Sequence, residues 1–319
     1  MTQYIIRRLL YLFPVLLGIS IVTFVLVRAV PGNLCEVSLG YAATPELCAE
    51  YNHANGLDRP IFDVKPPFGQ YGSWLGDMLR GDLGTSIQYR DSVQRELGLR
   101  LPVTFELMLL SLAVMLILAI PTGIIAGIRP NTPLDFATRT ASVFGLSIPV
   151  FLLATLLLKL PTVWFNWFPP TYVPFFSNPL TNLQLFALPA IAMGIPSAAV
   201  IMRLTRSSVL EVLRQDYVRT AWSKGLRERT IIMRHVLKNG LIPIVTVIGL
   251  QIGGLLGGTV IIESIFRLPG VGTYTYQSIL TRDYLGVQDI VVLLAAAYVL
   301  INLAVDITYG WLDPRIRFG

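Results

Sequence analysis

The sequence predicts an all-α integral membrane protein with six transmembrane helices, and three observations carry that expectation. Hydrophobic residues make up 54 % of the 319 positions and charged ones only 14 %, against roughly 25 % charged in soluble domains. Six apolar segments are each long enough to cross a hydrocarbon layer of about 30 Å. Lysine and arginine are also spread unevenly among the connections between those segments.

The first segment, Leu9–Val30, follows Arg7 and Arg8. A signal peptide has the same layout, but this run is too long for a signal core and lacks a small-residue cleavage site. It therefore reads as an uncleaved first helix. The other segments are Leu101–Ile128, Phe136–Leu160, Leu183–Met202, Leu241–Ile262 and Ile290–Ile307. Pro121, Pro149, Pro189 and Pro196 fall inside them. Helices in a bilayer tolerate proline where neighbours satisfy the freed backbone groups, so each segment is read as one span.

With the N-terminus inside, the inner connections hold Arg7 and Arg8, then Arg129 and Arg139, then nine basic residues from Arg203 to Lys238, then Arg315 and Arg317. The outer connection Pro161–Asn182 has none, and Glu263–Asp289 has only Arg267 and Arg282. That bias places both termini in the cytoplasm. The expected organisation is a first helix over 1–30, an extracytoplasmic insert over 31–100 and a five-helix core over 101–311. The core carries a cytoplasmic loop over 203–240, and a cytoplasmic tail follows over 312–319.

Several function classes are excluded. The net charge of +6 comes without any aromatic–basic stripe or nucleic-acid motif, so the basic residues read as topology signals and a docking surface. There is no GxxxxGK[ST] phosphate loop. Neither histidine, His53 or His235, lies in a spanning run, which removes a serine–histidine pair at membrane depth. No His, Cys and carboxylate cluster has metal-ligand spacing. The chain reads as non-catalytic, with no cofactor or metal of its own.

Apart from Arg28 and Arg139 near span ends, the ionisable residues within the spans are Glu106, Lys159 and Asp306. Asp306 alone is a thin proton relay, and a structural hydrogen bond or salt bridge suits it better. Cys35 and Cys48 share one outer polar stretch, where an oxidising compartment permits a disulfide; two free thiols are the alternative. Gly249, Gly253 and Gly257 recur four apart on one helical face. They suit either a translocation interface between two subunits or static packing within one bundle. The loop from Arg203 is helical by propensity up to Gly225, a natural helix stop, with Val209, Leu213 and Val218 interleaved among charges.

In that loop, Arg219-Thr220-Ala221-Trp222-Ser223-Lys224-Gly225 occupies a Glu-Ala-Ala-x-x-x-Gly pattern, with Arg219 where the pattern has Glu. Asp216-Tyr217-Val218-Arg219-Thr220-Ala221, Lys224-Gly225-Leu226 and Arg234-His235-Val236-Leu237-Lys238-Asn239 extend the match. Earlier matches are Val30-Pro31-Gly32, Gly56-Leu57-Asp58-Arg59-Pro60, Gly81-Asp82-Leu83-Gly84-Thr85-Ser86 and the Leu101-Pro102-Val103-Thr104-Phe105-Glu106 run. Later ones are the Glu263–Gly272 segment, Arg282-Asp283-Tyr284 and Leu312-Asp313-Pro314-Arg315. In order and spacing the chain resembles the permease subunits of the dipeptide/oligopeptide ABC importer family.

The resemblance implies a type I ABC importer permease fold. It implies that Asp216, Tyr217, Arg219, Thr220, Ala221, Lys224, Gly225 and Leu226 form a coupling helix seated on a cytoplasmic ATPase, with Ala221 keeping the contact surface shallow. It further implies a second permease, two ATPase subunits that bind ATP and magnesium, and an extracytoplasmic binding protein, working by alternating access in a lipid bilayer. The same machine carrying nickel, haem or another small solute remains open. An ion-coupled carrier acting alone is the reading from another class, and the scarcity of intramembrane charge counts against it.

Overall fold

The computed structural model describes residues 2–29, 34–39, 42–54, 56–63, 65, 69–86 and 88–312. The expected matches at Val30-Pro31-Gly32 and from Asp313 onward lie outside the described residues, as does the side chain of Asp306. The long helices are α1 (Thr2–Ala29), α5 (Val93–Ile128), α8 (Pro179–Leu213), α12 (Ile242–Phe266) and α14 (Tyr284–Leu312). Short helices α2 (Leu34–Leu39), α3 (Pro45–Ala54) and α4 (Gln70–Leu79) follow α1; α6 (Pro133–Ser147) and α7 (Val150–Phe165) lie between α5 and α8. Helices α9 (Asp216–Ser223), α10 (Glu228–Ile231) and α11 (Lys238–Gly240) fill the loop before α12, with a π-helical stretch at Ile232–Leu237, and α13 (Val271–Leu280) precedes α14. Among the described residues the only β pairing is an isolated bridge between Thr85 and Ser92.

Five of these helices are long and apolar enough to cross a membrane, and the pair α6–α7 makes a sixth span bent by 100°. Phe136–Leu160, read as one proline-tolerant spanning helix, is thus two helices broken at Ile148–Pro149. Ile148 precedes proline and is extended, with φ −89° and ψ 120°. Proline at the next position disfavours the helical conformation there and has no N–H to continue the ladder. Pro189 and Pro196, in contrast, sit inside the unbroken α8.

The chain divides into two compact units, one built from residues 1–5, 104–269 and 300–319, the other from 6–103 and 270–299. In the first unit, α5 and α8 pack at small residues. A Cβ on Gly194 would lie 2.7 Å from Val114, one on Gly123 2.7 Å from Thr205, and one on Gly127 2.7 Å from Val209. Both partners' numbers rise together, so the two helices run parallel. A chain that leaves one helix and enters a parallel neighbour has to cross the layer once between them. The bent α6–α7 pair supplies that crossing, which is why six spans fit and five do not.

Met115, Ala119, Ala198, Ile201 and Ile244 form the core between α5, α8 and α12. Helix α12 runs antiparallel to α8: Gly258 approaches Met193, while Gln251 donates to the Ser197 carbonyl at 3.5 Å. At 35 residues α8 extends about 52 Å, well beyond a hydrocarbon core of about 30 Å. Residues 203–213, expected as part of a loop, are the end of this helix.

In the second unit the polar insert is folded onto the second half of α1, onto α13 and onto the start of α14. Phe24, Trp74 and Val292 form one cluster, and Val93, Leu97, Val271, Tyr274 and Ile290 another. Polar groups tie the same elements. Trp74 Nε1 donates to Asp289 at 2.7 Å, Arg28 donates to Gln70 at 2.9 Å and to Gln288 at 3.1 Å, and Ser86 donates to Asp283. Residues 93–100, expected within the insert, are the first turns of α5.

Cys35 and Cys48 are joined in a disulfide with a Cα–Cα distance of 5.3 Å, 13 residues apart. In the chain-entropy account a loop of that size is stabilised by about 3 kcal/mol. Labelling of intact cells with an impermeant maleimide is expected to reach neither thiol before reduction and to reach both after it. Labelling without reductant would contradict an oxidised pair.

Candidate functional site

The site is the connection between α8 and α12. Helix α8 stops at Leu213; Arg214 stays helical and Gln215 turns extended, with φ −73° and ψ 145°. Asp216 then opens α9 in its first turn, where a negative charge opposes the positive end of the helix dipole. After Ser223 the chain reaches Gly225 at φ +73°, the left-handed conformation in which glycine ends helices. A Cβ there would meet nothing within 4 Å, so backbone conformation rather than close approach makes glycine the fitting residue.

The inner face of α9 anchors it. Val218 and Ala221 are buried with Val209, Ile231 and Val236, and Ile124 and Ile128 of α5 pack on the same cluster. This corrects one expectation: Ala221, only 5 % exposed, serves the core beneath α9 and not the outward surface. Its small side chain lets α9 lie close to α8. Further ties come from the helical segment that returns to α12. Asn239 donates to the Tyr217 hydroxyl at 3.0 Å and to the His235 carbonyl at 3.1 Å, and Ser208 of α8 donates to the Gly240 carbonyl at 2.7 Å.

The outer face carries Asp216, Tyr217, Arg219, Thr220, Lys224, Gly225 and Leu226, all exposed. The helix spacing therefore gathers seven of the eight predicted residues on one surface. Trp222, 48 % exposed, belongs to this surface although the motif residues did not point to it. The available signal was an indole in an otherwise polar, eight-residue helix whose core needs are met by Val218 and Ala221. The Arg219–Asp216 pair, at 3.4 Å, is fully hydrated and holds little.

A buried carboxylate fixes α8 next to this surface. Asp135, fully buried at the start of α6, accepts from Arg206 Nε at 2.5 Å and Nη2 at 3.0 Å, from Arg139, and from the Asn131 backbone N–H at 2.8 Å. The Thr132 hydroxyl accepts from the Asp135 N–H, capping the same helix. Asp135 was invisible as a site because its partner Arg206 lies 71 positions away.

The three glycines of α12 do not share one environment. A Cβ on Gly249 would overlap Val305 of α14, Gly253 is buried, and Gly257 is exposed with nothing within 4 Å of its Cβ position. The stripe thus begins as packing inside this chain and ends on an open face. Beyond it, Glu263, placed outside the fifth span by its sequence, is buried in α12 and accepts from Thr104 at 2.7 Å.

A family profile described as binding-protein-dependent transport system inner membrane component matches residues 119–318. A second profile, for the N-terminal part of such membrane components, matches residues 1–108. The chain is 37 % identical, across 100 % of both chains, to a protein of Alkalihalophilus pseudofirmus named dipeptide transport system permease protein DppB. It is 36 % identical, again across 100 % of both, to the oligopeptide transport system permease protein AppB of Bacillus subtilis. Among solved structures, one of the MetNI methionine ABC transporter in an inward-facing conformation aligns with 69 % of this chain and 97 % of its own, with a TM-score of 0.56 and 17 % identity. At that identity the likeness speaks for the fold.

Proposed function

The chain belongs to the family of binding-protein-dependent transport system inner membrane components, and from that premise we propose that it is the permease subunit of an ATP-driven importer of di- and oligopeptides. The observation that carries the cargo is similarity over the whole length to permeases named for dipeptide and oligopeptide transport. In this reading a second permease completes the translocation path, and an extracytoplasmic binding protein delivers the peptide. Both termini are cytoplasmic, which follows from the lysine and arginine bias.

The chain holds no nucleotide in this reading; ATP and magnesium reside on two partner ATPases. The outer face of α9 is the docking surface. Tyr217, Trp222 and Leu226 supply area that is costly to leave hydrated, while Arg219 and Lys224 supply charge for orientation. Force on α9 passes to α8 and α5 through the buried cluster around Val218 and Ala221. A peptide auxotroph lacking its own peptide importers tests the proposal: expression of the complete transporter restores growth on a dipeptide, and omission of this chain abolishes it. Growth that persists without this chain would contradict the assignment.

A further inference from the structure

At the end of the first unit opposite α9, a cavity of about 810 Å³ opens between α7, the connection 166–178, α8 and the end of α12. That volume lies within the range of small-molecule sites. Two of its lining residues are cations, Lys159 and Arg267, and the nearby carboxylate, Glu106, is not among the lining residues but acts on the lining Tyr172. Lys159, in the last turns of α7, and Arg267, at the end of α12, are both exposed, so each head group is open to a ligand in this cavity. Arg267 ends α12 at φ +54°, the left-handed conformation that stops the helix.

The remaining polar groups are arranged for hydrogen bonds. The hydroxyls of Thr155 and Thr162 donate to the carbonyls of Phe151 and Leu158 at 2.7 and 2.8 Å, which leaves their lone pairs as acceptors for N–H groups. Burial, assisted by the Glu106 carboxylate, holds the Tyr172 phenol above its ordinary pKa, and at neutral pH its O–H is a donor with or without that shift. Apolar wall is supplied by residues such as Phe168 and Phe266. An acyl chain has no use for such donors and acceptors; a peptide backbone needs them.

We infer that this cavity is a peptide subsite in which Lys159 and Arg267 hold the C-terminal carboxylate of the cargo. The inference rests on the peptide-importer reading and deepens it. It is tested on the purified transporter complex, without its binding protein, by equilibrium binding of a labelled tripeptide as free acid and as C-terminal amide. The wild type is expected to bind the acid at least about tenfold more tightly, the scale of one hydrogen bond to a charged group. A Lys159→Gln, Arg267→Gln double variant is expected to bind both forms alike, while Lys159→Arg retains the preference.

Equal binding of acid and amide by the wild type would overturn the inference, as would a preference that survives in the double variant. Retention of phosphatidylglycerol by the wild type but not by the double variant, with no peptide preference, would reassign the cations to a lipid and overturn it too. Peptide uptake by the complete transporter without any acid preference in the cavity sinks this subsite alone. Absence of peptide uptake sinks the reading beneath it.

Discussion

Trp222→Ala is expected to weaken association with the partner ATPases at least about 30-fold, the effect of losing a central tryptophan from an interface. Peptide uptake falls with it, while the chain remains inserted and melts at its wild-type temperature. The basis is placement: Trp222 is 48 % exposed and contributes nothing to the cluster that anchors α9. Its neighbour Ala221 behaves oppositely. A bulky residue at Ala221 overpacks the cluster with Val209, Val218, Ile231 and Val236, and so lowers stability before it alters any contact. Co-purification of the ATPases on a tagged permease separates the two cases. Unchanged recovery with Trp222→Ala would remove α9 from the docking surface.

Asp135→Ala is expected to destabilise the first unit by about 2 kcal/mol. Deep pairs lose about 3–5 kcal/mol when one partner is removed, but Arg139 remains 42 % exposed and water screens part of the cost. The variant leaves Arg206 facing a position with no counter-charge and strips the Asn131 N–H of its acceptor. Thermal melting in detergent reads the loss. A double variant that also carries Arg206→Met is expected to recover part of it, because two apolar groups in that place leave no orphaned charge. Equal melting temperatures for wild type and Asp135→Ala would show the pair to be ornamental. Because α8 leads directly into α9, uptake is expected to fall further than folding alone accounts for.

The spans and their count were legible because a bilayer imposes a length and a polarity that composition alone reveals. The bend at Ile148–Pro149 was not, since Pro189 and Pro196 occur in similar apolar runs and stay helical. What distinguishes them is tertiary: whether neighbours satisfy the freed carbonyls. The loop between α8 and α12 was legible as an ordered string of motif residues, and seven of the eight residues named there are exposed on it. The inward turn of Ala221 needed the register of α9 against α8, which no local pattern sets. The insert after the first helix was the least legible part. Its ties, such as Trp74 to Asp289 and Ser86 to Asp283, span 215 and 197 positions. Pairings at that distance leave no periodicity to read.

In the proposed mechanism this chain is a passive path, driven through α9 by ATPases on other subunits. Peptide flux into proteoliposomes tests it most directly. With the second permease, both ATPases, the binding protein and ATP, labelled dipeptide is expected to accumulate; leaving out the ATPases or the nucleotide is expected to reduce flux to that of empty liposomes. Accumulation by the permeases alone, driven by a proton or sodium gradient, would contradict the account and establish an ion-coupled carrier in its place.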